Sequence, residues 1–265
     1  MDTDNLIALV VFIGPLLGLI SFLAGIKLTG MKRRNYSVLN PNDVVNGKKV
    51  IKIIEEYKPI IYQTENIKKD IQFIFYELVE QKDKLVLIYR PLWNDEIHPN
   101  LLIHLLYKFF RWFFYGSTRD IEFVELFIDK KSGKVLSFSF ESLTEGSSIK
   151  APGHEFIEIE KKGSKYYNKT KNEVLDYEPI ENSRCILQVK TWNHLLTLTG
   201  KPKGKKFDIP LEPLTNWKYQ RYSISRRSSG YIKTKTKKWV KYFVSIFSLI
   251  IFGTGFPLLL FFLLR

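Results

Sequence analysis

The residues best suited to chemistry gather in one part of the chain. Asp95, Glu96, His98 and His104 fall within ten residues, Asp120 and Glu122 follow two apart, and His154 comes later. On a strand, positions 120 and 122 share a face, which continues as Val124, Leu126 and Ile128. Two carboxylates at the head of an apolar strand face need partners, because a buried unpaired charge is costly. Arg111 and Arg119 could serve structurally as ion-pair partners. A His/Asp/Glu group could instead hold zinc or another divalent ion and activate water for hydrolysis. On that reading the candidate catalytic residues are Asp95, Glu96, Asp120 and Glu122. The candidate metal ligands are His98, His104, His154, Asp120 and Glu122. Their spacing matches no fixed motif, so an ion-pair network with loop polarity is the plainer expectation. No cofactor is firmly indicated, and a divalent metal is the one to consider.

Other signatures of catalysis are missing from the sequence. There is no phosphate-binding glycine loop, no His-Glu-x-x-His, no Gly-x-Ser-x-Gly, no paired Cys-x-x-Cys and no dinucleotide-binding glycine pattern. His98 precedes Pro99, which favours an extended or turn conformation. His194, beside Trp192 and Asn193, reads as a packed histidine rather than a ligand. The single cysteine, Cys185, permits no disulfide within the chain. It lies in an apolar run to Val189, which suits a structural thiol.

The elements that would position these residues are mostly strands. Ile71, Phe73 and Phe75 alternating with Gln72, Ile74 and Tyr76, the polar turn Gln81-Lys82-Asp83 and a return through Leu85-Val86-Leu87-Ile88 predict a hairpin over 65–90. A second hairpin runs from Ile121 to Ile128, turns at Asp129-Lys130-Lys131-Ser132-Gly133 and returns over Val135 to Phe140. Further strands are expected over 155–159, 165–167, 184–191 and 195–198, with turn chemistry at Lys162-Gly163-Ser164 and Gly200-Lys201-Pro202.

Residues 100–116 are different, because they are almost wholly apolar or aromatic. Asn100, His104, Lys108 and Arg111 are spaced four, four and three apart and so fall on one helical stripe. Three readings stay open: a helix in the core, a helix lying in a membrane interface, or a third membrane span.

The two ends carry the longest uncharged runs, 6–26 and 243–264, each of a length to cross a bilayer as a helix. The first lacks the basic lead and cleavage site of a signal peptide. Basic residues flank both runs on their inner sides: Lys32, Arg33 and Arg34 after the first, and Lys233, Lys235, Lys237, Lys238 and Lys241 before the second. By the positive-inside rule the central domain would be cytoplasmic and both termini outside. Gly14 and Gly18 form a small-xxx-small pair suited to helix packing with a membrane partner or a second copy.

The expected fold class is therefore α+β: two terminal transmembrane helices around a β-rich, mainly antiparallel domain with one or more helices. The expected divisions are 1–30 with its span, a domain over 31–222, a basic linker over 223–241 and the last helix over 242–265. The net charge of +14 suits an anionic lipid surface. Lys32, Arg33, Arg34, Lys108, Arg111, Lys233, Lys235, Lys237, Lys238 and Lys241 are the candidate lipid-facing residues. Nucleic acid is not expected, because the aromatic residues do not interleave with the basic ones. The leading functional expectation is an integral membrane accessory subunit or scaffold that binds a partner or the bilayer surface. The alternatives are a membrane-tethered metal-dependent hydrolase and a subunit of an oligomeric transporter or channel.

Overall fold

The computed structural model describes residues 31–33, 38–115, 118–148, 151–214 and 231–233. The chain divides into two compact units, one of Met1–Arg34 with Ser225–Arg265 and one of Asn35–Ile224. In the first, strand β1 (Met31–Arg33) pairs antiparallel with the last strand, β18 (Tyr231–Lys233).

The second unit opens on a tight hairpin of β2 (Val44–Val45) and β3 (Lys48–Lys49). Asn46 and Gly47 between them both have positive φ, 50° and 77°, the backbone that Asn-Gly adopts most readily in a two-residue loop. Helix α1 (Val50–Glu56) follows and buries Val50, Ile53 and Ile54, the i, i+3, i+4 pattern of one apolar face. Then come β4 (Ile60–Gln63), the long hairpin of β5 (Ile71–Glu80) and β6 (Lys84–Trp93), and helix α2 (Leu101–Tyr115). The chain continues through β7 (Asp120–Ile121), β8 (Val124–Asp129), β9 (Val135–Leu143), β10 (His154–Lys162) and β11 (Lys165–Asn168). Short strands β12 (Glu173–Val174) and β13 (Ile180–Glu181) precede β14 (Arg184–Val189). The last three are β15 (Leu196–Thr197), β16 (Lys205–Lys206) and β17 (Leu211–Pro213).

Among the described residues these strands build one large sheet of 14 strands, with the order β16-β4-β14-β15-β9-β8-β6-β5-β17 along its main path. The hairpins are antiparallel, but β14 with β4, β15 with β9 and β17 with β5 run parallel. Register places whole rows of side chains in line. Leu78, Leu87, Leu126, Phe138 and Ile159 sit opposite one another across β5, β6, β8, β9 and β10, and all are buried. The next row on that face is Tyr76, Tyr89, Val124, Phe140 and Ile157. These rows and the apolar face of α1 form the main core. The opposite face is more polar, because the intervening row holds Glu77, Ile88, Glu125 and Ser139. Glu77 and Arg90 approach to 4.0 Å there, both buried.

This architecture corrects the expected membrane-spanning α+β fold. The described residues are mostly sheet, with two helices of 7 and 15 residues. At 1.5 Å rise per residue, α2 extends only about 22 Å, short of a ~30 Å hydrocarbon core. Among the described residues no helix is long and apolar enough to cross a membrane. The runs 6–26 and 243–264, together with Gly14, Gly18, Arg34, Lys235, Lys237, Lys238 and Lys241, lie outside the described residues.

Candidate functional site

The site forms where β14 ends and the chain turns back into β15. Between them Lys190–Leu195 makes a tight, self-bonded loop. The Lys190 N–H donates to the Leu195 carbonyl at 3.1 Å, and the His194 N–H donates to the Thr191 carbonyl at 3.0 Å. The Thr191 hydroxyl accepts the Leu195 N–H at 3.0 Å and donates to Asn193 Oδ1 at 2.6 Å. His194 takes a left-handed backbone, φ 59°, which is uncommon for a residue with a side chain. That geometry is held by the loop's own hydrogen bonds, a kind of over-determination found often at functional positions.

The side chain of His194 lies over Trp93, ring on ring, with centroids 4.5 Å apart and planes 7° from parallel. Trp93 is paired in register with Asp120 across β6 and β7, so a ring stacked on the tryptophan arrives beside that carboxylate. His194 Nδ1–H donates to Asp120 Oδ2 at 2.9 Å, and both residues are buried. Trp93 is fixed from its other end, because its indole N–H donates to Gln63 Oε1 at 3.0 Å. The Gln63 amide in turn donates to the Lys69 carbonyl at 2.8 Å.

A second carboxylate–histidine pair meets the same loop. His154, the first residue of β10, bonds Glu141 Oε1 of β9 through Nδ1 at 2.8 Å. Its Nε2 lies 3.2 Å from the Asn193 amide nitrogen. Since an amide NH2 only donates, Nε2 accepts here, and the proton of the neutral ring sits on Nδ1, pointing at Glu141. Of two consecutive loop residues, His194 thus belongs to one carboxylate–histidine pair and Asn193 contacts the other.

His194 also borders a cavity of about 310 Å³. Its walls include Ile67, Lys68, Lys69, Lys190 and Trp192. With Nδ1 committed to Asp120, Nε2 is the ring nitrogen left for a ligand. Trp192 is packed edge-on by His98, at 4.6 Å and 74°, and by Tyr107 of α2, at 5.7 Å and 83°. The wall therefore combines three lysine residues, apolar side chains including Ile67 and Ile97, the Trp192 aromatic and a histidine oriented by a carboxylate. Such a wall can hold an anion, and it can take or give a proton at Nε2.

The candidates named from the sequence are dispersed. Asp120 meets His194, whereas His154 meets Glu141. Asp95 bonds Lys108 at 2.8 Å, and His98 accepts the Asn100 N–H at 3.0 Å through Nδ1. Glu96 and Glu122 are buried and engaged elsewhere in the protein. His104 lies on α2, with Nδ1 buried and without a hydrogen-bond partner among the described residues. Among the described residues no group of three or more His, Cys, Asp or Glu side chains is placed to hold a metal ion. Of the candidate lipid-facing residues, Lys32, Arg33 and Lys233 fall in β1 and β18, and Arg111 falls in the part of α2 whose side chains are not described. Leu101, Leu102, Ile103, Leu105 and Leu106 of α2 are exposed, so the first turns of that helix are not core.

Sequence reasoning took His194 for a packed histidine rather than a ligand and passed over Asn193, Thr191 and Glu141 as site residues. The signal present was weak: a polar Thr-Trp-Asn-His run between two apolar stretches. Its partners stand far away in the chain, Asp120 by 74 residues and His154 by 39 from Asn193.

No protein-family model matches the chain, and no curated protein matches it either. Among solved structures, it is similar to "NLPPya in complex with glucosamine", with TM-score 0.39, 10% identity, 78% of this chain and 92% of that one. Another, titled "Toxin fold for microbial attack and plant defense", gives 0.38, 11% identity, and 70% and 79% of the two chains. The crystal structure of Necrosis and Ethylene inducing Protein 2, from the causal agent of cocoa's Witches Broom disease, gives 0.34, 12% identity, and 70% and 80%. Likenesses this distant say nothing of a ligand or an activity for this chain. The expected integral membrane subunit or scaffold, multi-pass with a cytoplasmic domain, is corrected together with its hydrolase and transporter alternatives. Among the described residues no helix is long and apolar enough to span a bilayer, and the named acids and histidines do not converge on a metal.

Proposed function

We propose that the second unit binds a small anionic molecule in the cavity beside His194. The observation that carries this is the buried Asp120–His194 pair, stacked on Trp93 and bordering a cavity rimmed by Lys68, Lys69 and Lys190. A polar pair made only for stability gains nothing from a left-handed backbone and a ring edge on a cavity. The volume suits a molecule the size of a sugar phosphate, since small-ligand pockets run from roughly 300 to 1,000 Å³. Lysines supply charge without fixed geometry, whereas the oriented imidazole supplies direction. Charged hydrogen bonds here are worth about 1.5–3 kcal/mol each, so loss of one costs at least about tenfold in affinity.

Calorimetric titration with sulfate, glucose 6-phosphate and glucuronate, with neutral glucose as the control, tests the reading. The anions should bind, glucose should not, and His194→Ala should weaken binding by about tenfold or more. Equal response to glucose and the anions, or anion binding indifferent to His194→Ala, overturns it.

A further inference from the structure

We propose that His154 is a positioning residue whose protonation state sets the shape of the loop that carries Trp192 and His194, making the cavity pH-responsive. The proposal rests on the ligand reading above only where ligand affinity is concerned. Its structural part stands on the hydrogen-bond chain itself.

That chain runs in one sense from end to end. The Leu195 N–H donates to the Thr191 hydroxyl, the hydroxyl donates to Asn193 Oδ1, the Asn193 amide donates to His154 Nε2, and His154 Nδ1–H donates to Glu141. Every member before the carboxylate gives a proton forward. The chain closes only if His154 Nε2 has a lone pair.

Protonation removes that lone pair. Two donors would then face each other at the 3.2 Å between Nε2 and the Asn193 amide. Asn193 can restore a bond by turning its carbonyl to His154, but its NH2 then faces the Thr191 hydroxyl, which must accept from it and give up donating to Asn193. Asn193 lies between Trp192 and His194, and His194 holds a left-handed backbone. A break at Asn193 thus falls on the segment that forms one wall of the cavity.

His154 is faced by a carboxylate on one side and an amide donor on the other. From β9, the Glu141 carboxylate stands 2.8 Å from Nδ1. From the loop, the Asn193 amide faces Nε2 at 3.2 Å, and the adjoining His194 bonds Asp120. His154 is 37% exposed, so a proton reaches it from solvent without unfolding the loop. Histidine changes charge between about pH 5 and 8, which makes such an arrangement responsive in that range.

The experiment is a nuclear magnetic resonance titration of the full chain from pH 8 to pH 5, following the His154 ring, the Asn193 side-chain amide and the Trp192 indole N–H. The Asn193 and Trp192 signals should shift with the midpoint of His154. In His154→Gln, whose amide oxygen can still accept from Asn193, the part of each shift that follows the His154 midpoint should vanish, whatever His98 contributes at Trp192. Signals that ignore the His154 midpoint, or that move equally in His154→Gln, overturn the proposal. Should the variant not fold, the wild-type titration decides alone. Sulfate affinity, measured in parallel, separates the two readings, since sulfate does not titrate in this range. At pH 5.5 wild type should bind sulfate several-fold more weakly than His154→Gln, with the two equal at pH 8. If sulfate does not bind but Trp192 tracks His154, the ligand reading fails and the switch stands. If sulfate binds equally to both proteins at both pH values, the switch fails and the ligand reading stands.

Discussion

Cys185 shows what full burial does to a single ionisable group. Its thiol is pushed up to about 12 by burial, against an ordinary value near 8.5 for an exposed thiol. Tyr89, also buried, is raised well above its ordinary value, again first by burial. In both cases the folded state keeps a proton that the unfolded state releases. The unfolded chain therefore binds fewer protons, and stability falls as pH rises. The loss from Cys185 should begin near pH 8.5 and continue to about 12, at up to about 1.4 kcal/mol per pH unit. Denaturant midpoints between pH 8 and 11 check this, and Cys185→Ala should flatten the alkaline slope. At pH 8 the native thiol should resist a disulfide reagent that labels it at once in denaturant. Asp129 is the opposite case. Hydrogen bonds from the Ser132 hydroxyl and N–H, both 2.6 Å, hold its carboxyl below the ordinary range. Ser132→Ala should raise it, as read from the carboxyl shift in an acid titration. The Cys185 environment was legible in the sequence as an apolar run. The Asp120–His194 pair was not, because nothing local marks two residues 74 apart as neighbours.

At the scale of elements, α1 like every helix leaves its last carbonyls without intrahelical donors, and two tyrosines secure it to the sheet. The Tyr89 hydroxyl, from β6, donates to the Ile54 carbonyl, and the Tyr57 hydroxyl, just past the helix, donates to the Gly133 carbonyl in the β8–β9 turn. Tyr89→Phe keeps the ring and strands a buried carbonyl, so it should lower stability by about 1–3 kcal/mol, as a shift in the urea midpoint. Gly204 is fixed by a different constraint. Its φ is 96°, and an added Cβ would stand 2.3 Å from the Gln63 carbonyl oxygen. Gly204→Ala should therefore cost more than the roughly 1 kcal/mol of an ordinary glycine replacement and should loosen β16 from β4. The two long hairpins could be read from alternation and turn residues, because those signals are local. Helix α1 could not: seven residues carry too little periodicity to separate from the surrounding apolar sequence. The parallel pairings escaped for a related reason, since a strand's own sequence does not name a distant partner.

The whole molecule depends on those distant partners. Ile60 of β4 lies opposite Ile186 of β14, and Ile74 of β5 opposite Leu211 of β17. Sheets closed by contacts so far apart in sequence fold slowly, because loop closure precedes the gain from pairing. Refolding of the full chain, followed by tryptophan fluorescence after dilution from urea, should take milliseconds to seconds rather than microseconds. Destabilising the row shared by five strands should be global rather than local. Leu126→Ala, with its side chain fully buried, should cost about 2–5 kcal/mol and shift every probe of unfolding together. The same topology constrains the chain as it is being made. A ribosome releases β4 more than a hundred residues before β14 and β16, so during synthesis both edges of β4 wait with unpaired amides and carbonyls. Any stall or premature stop before Arg184 leaves a nascent protein with a sticky flank, a natural target for holding chaperones and for proteolytic clearance.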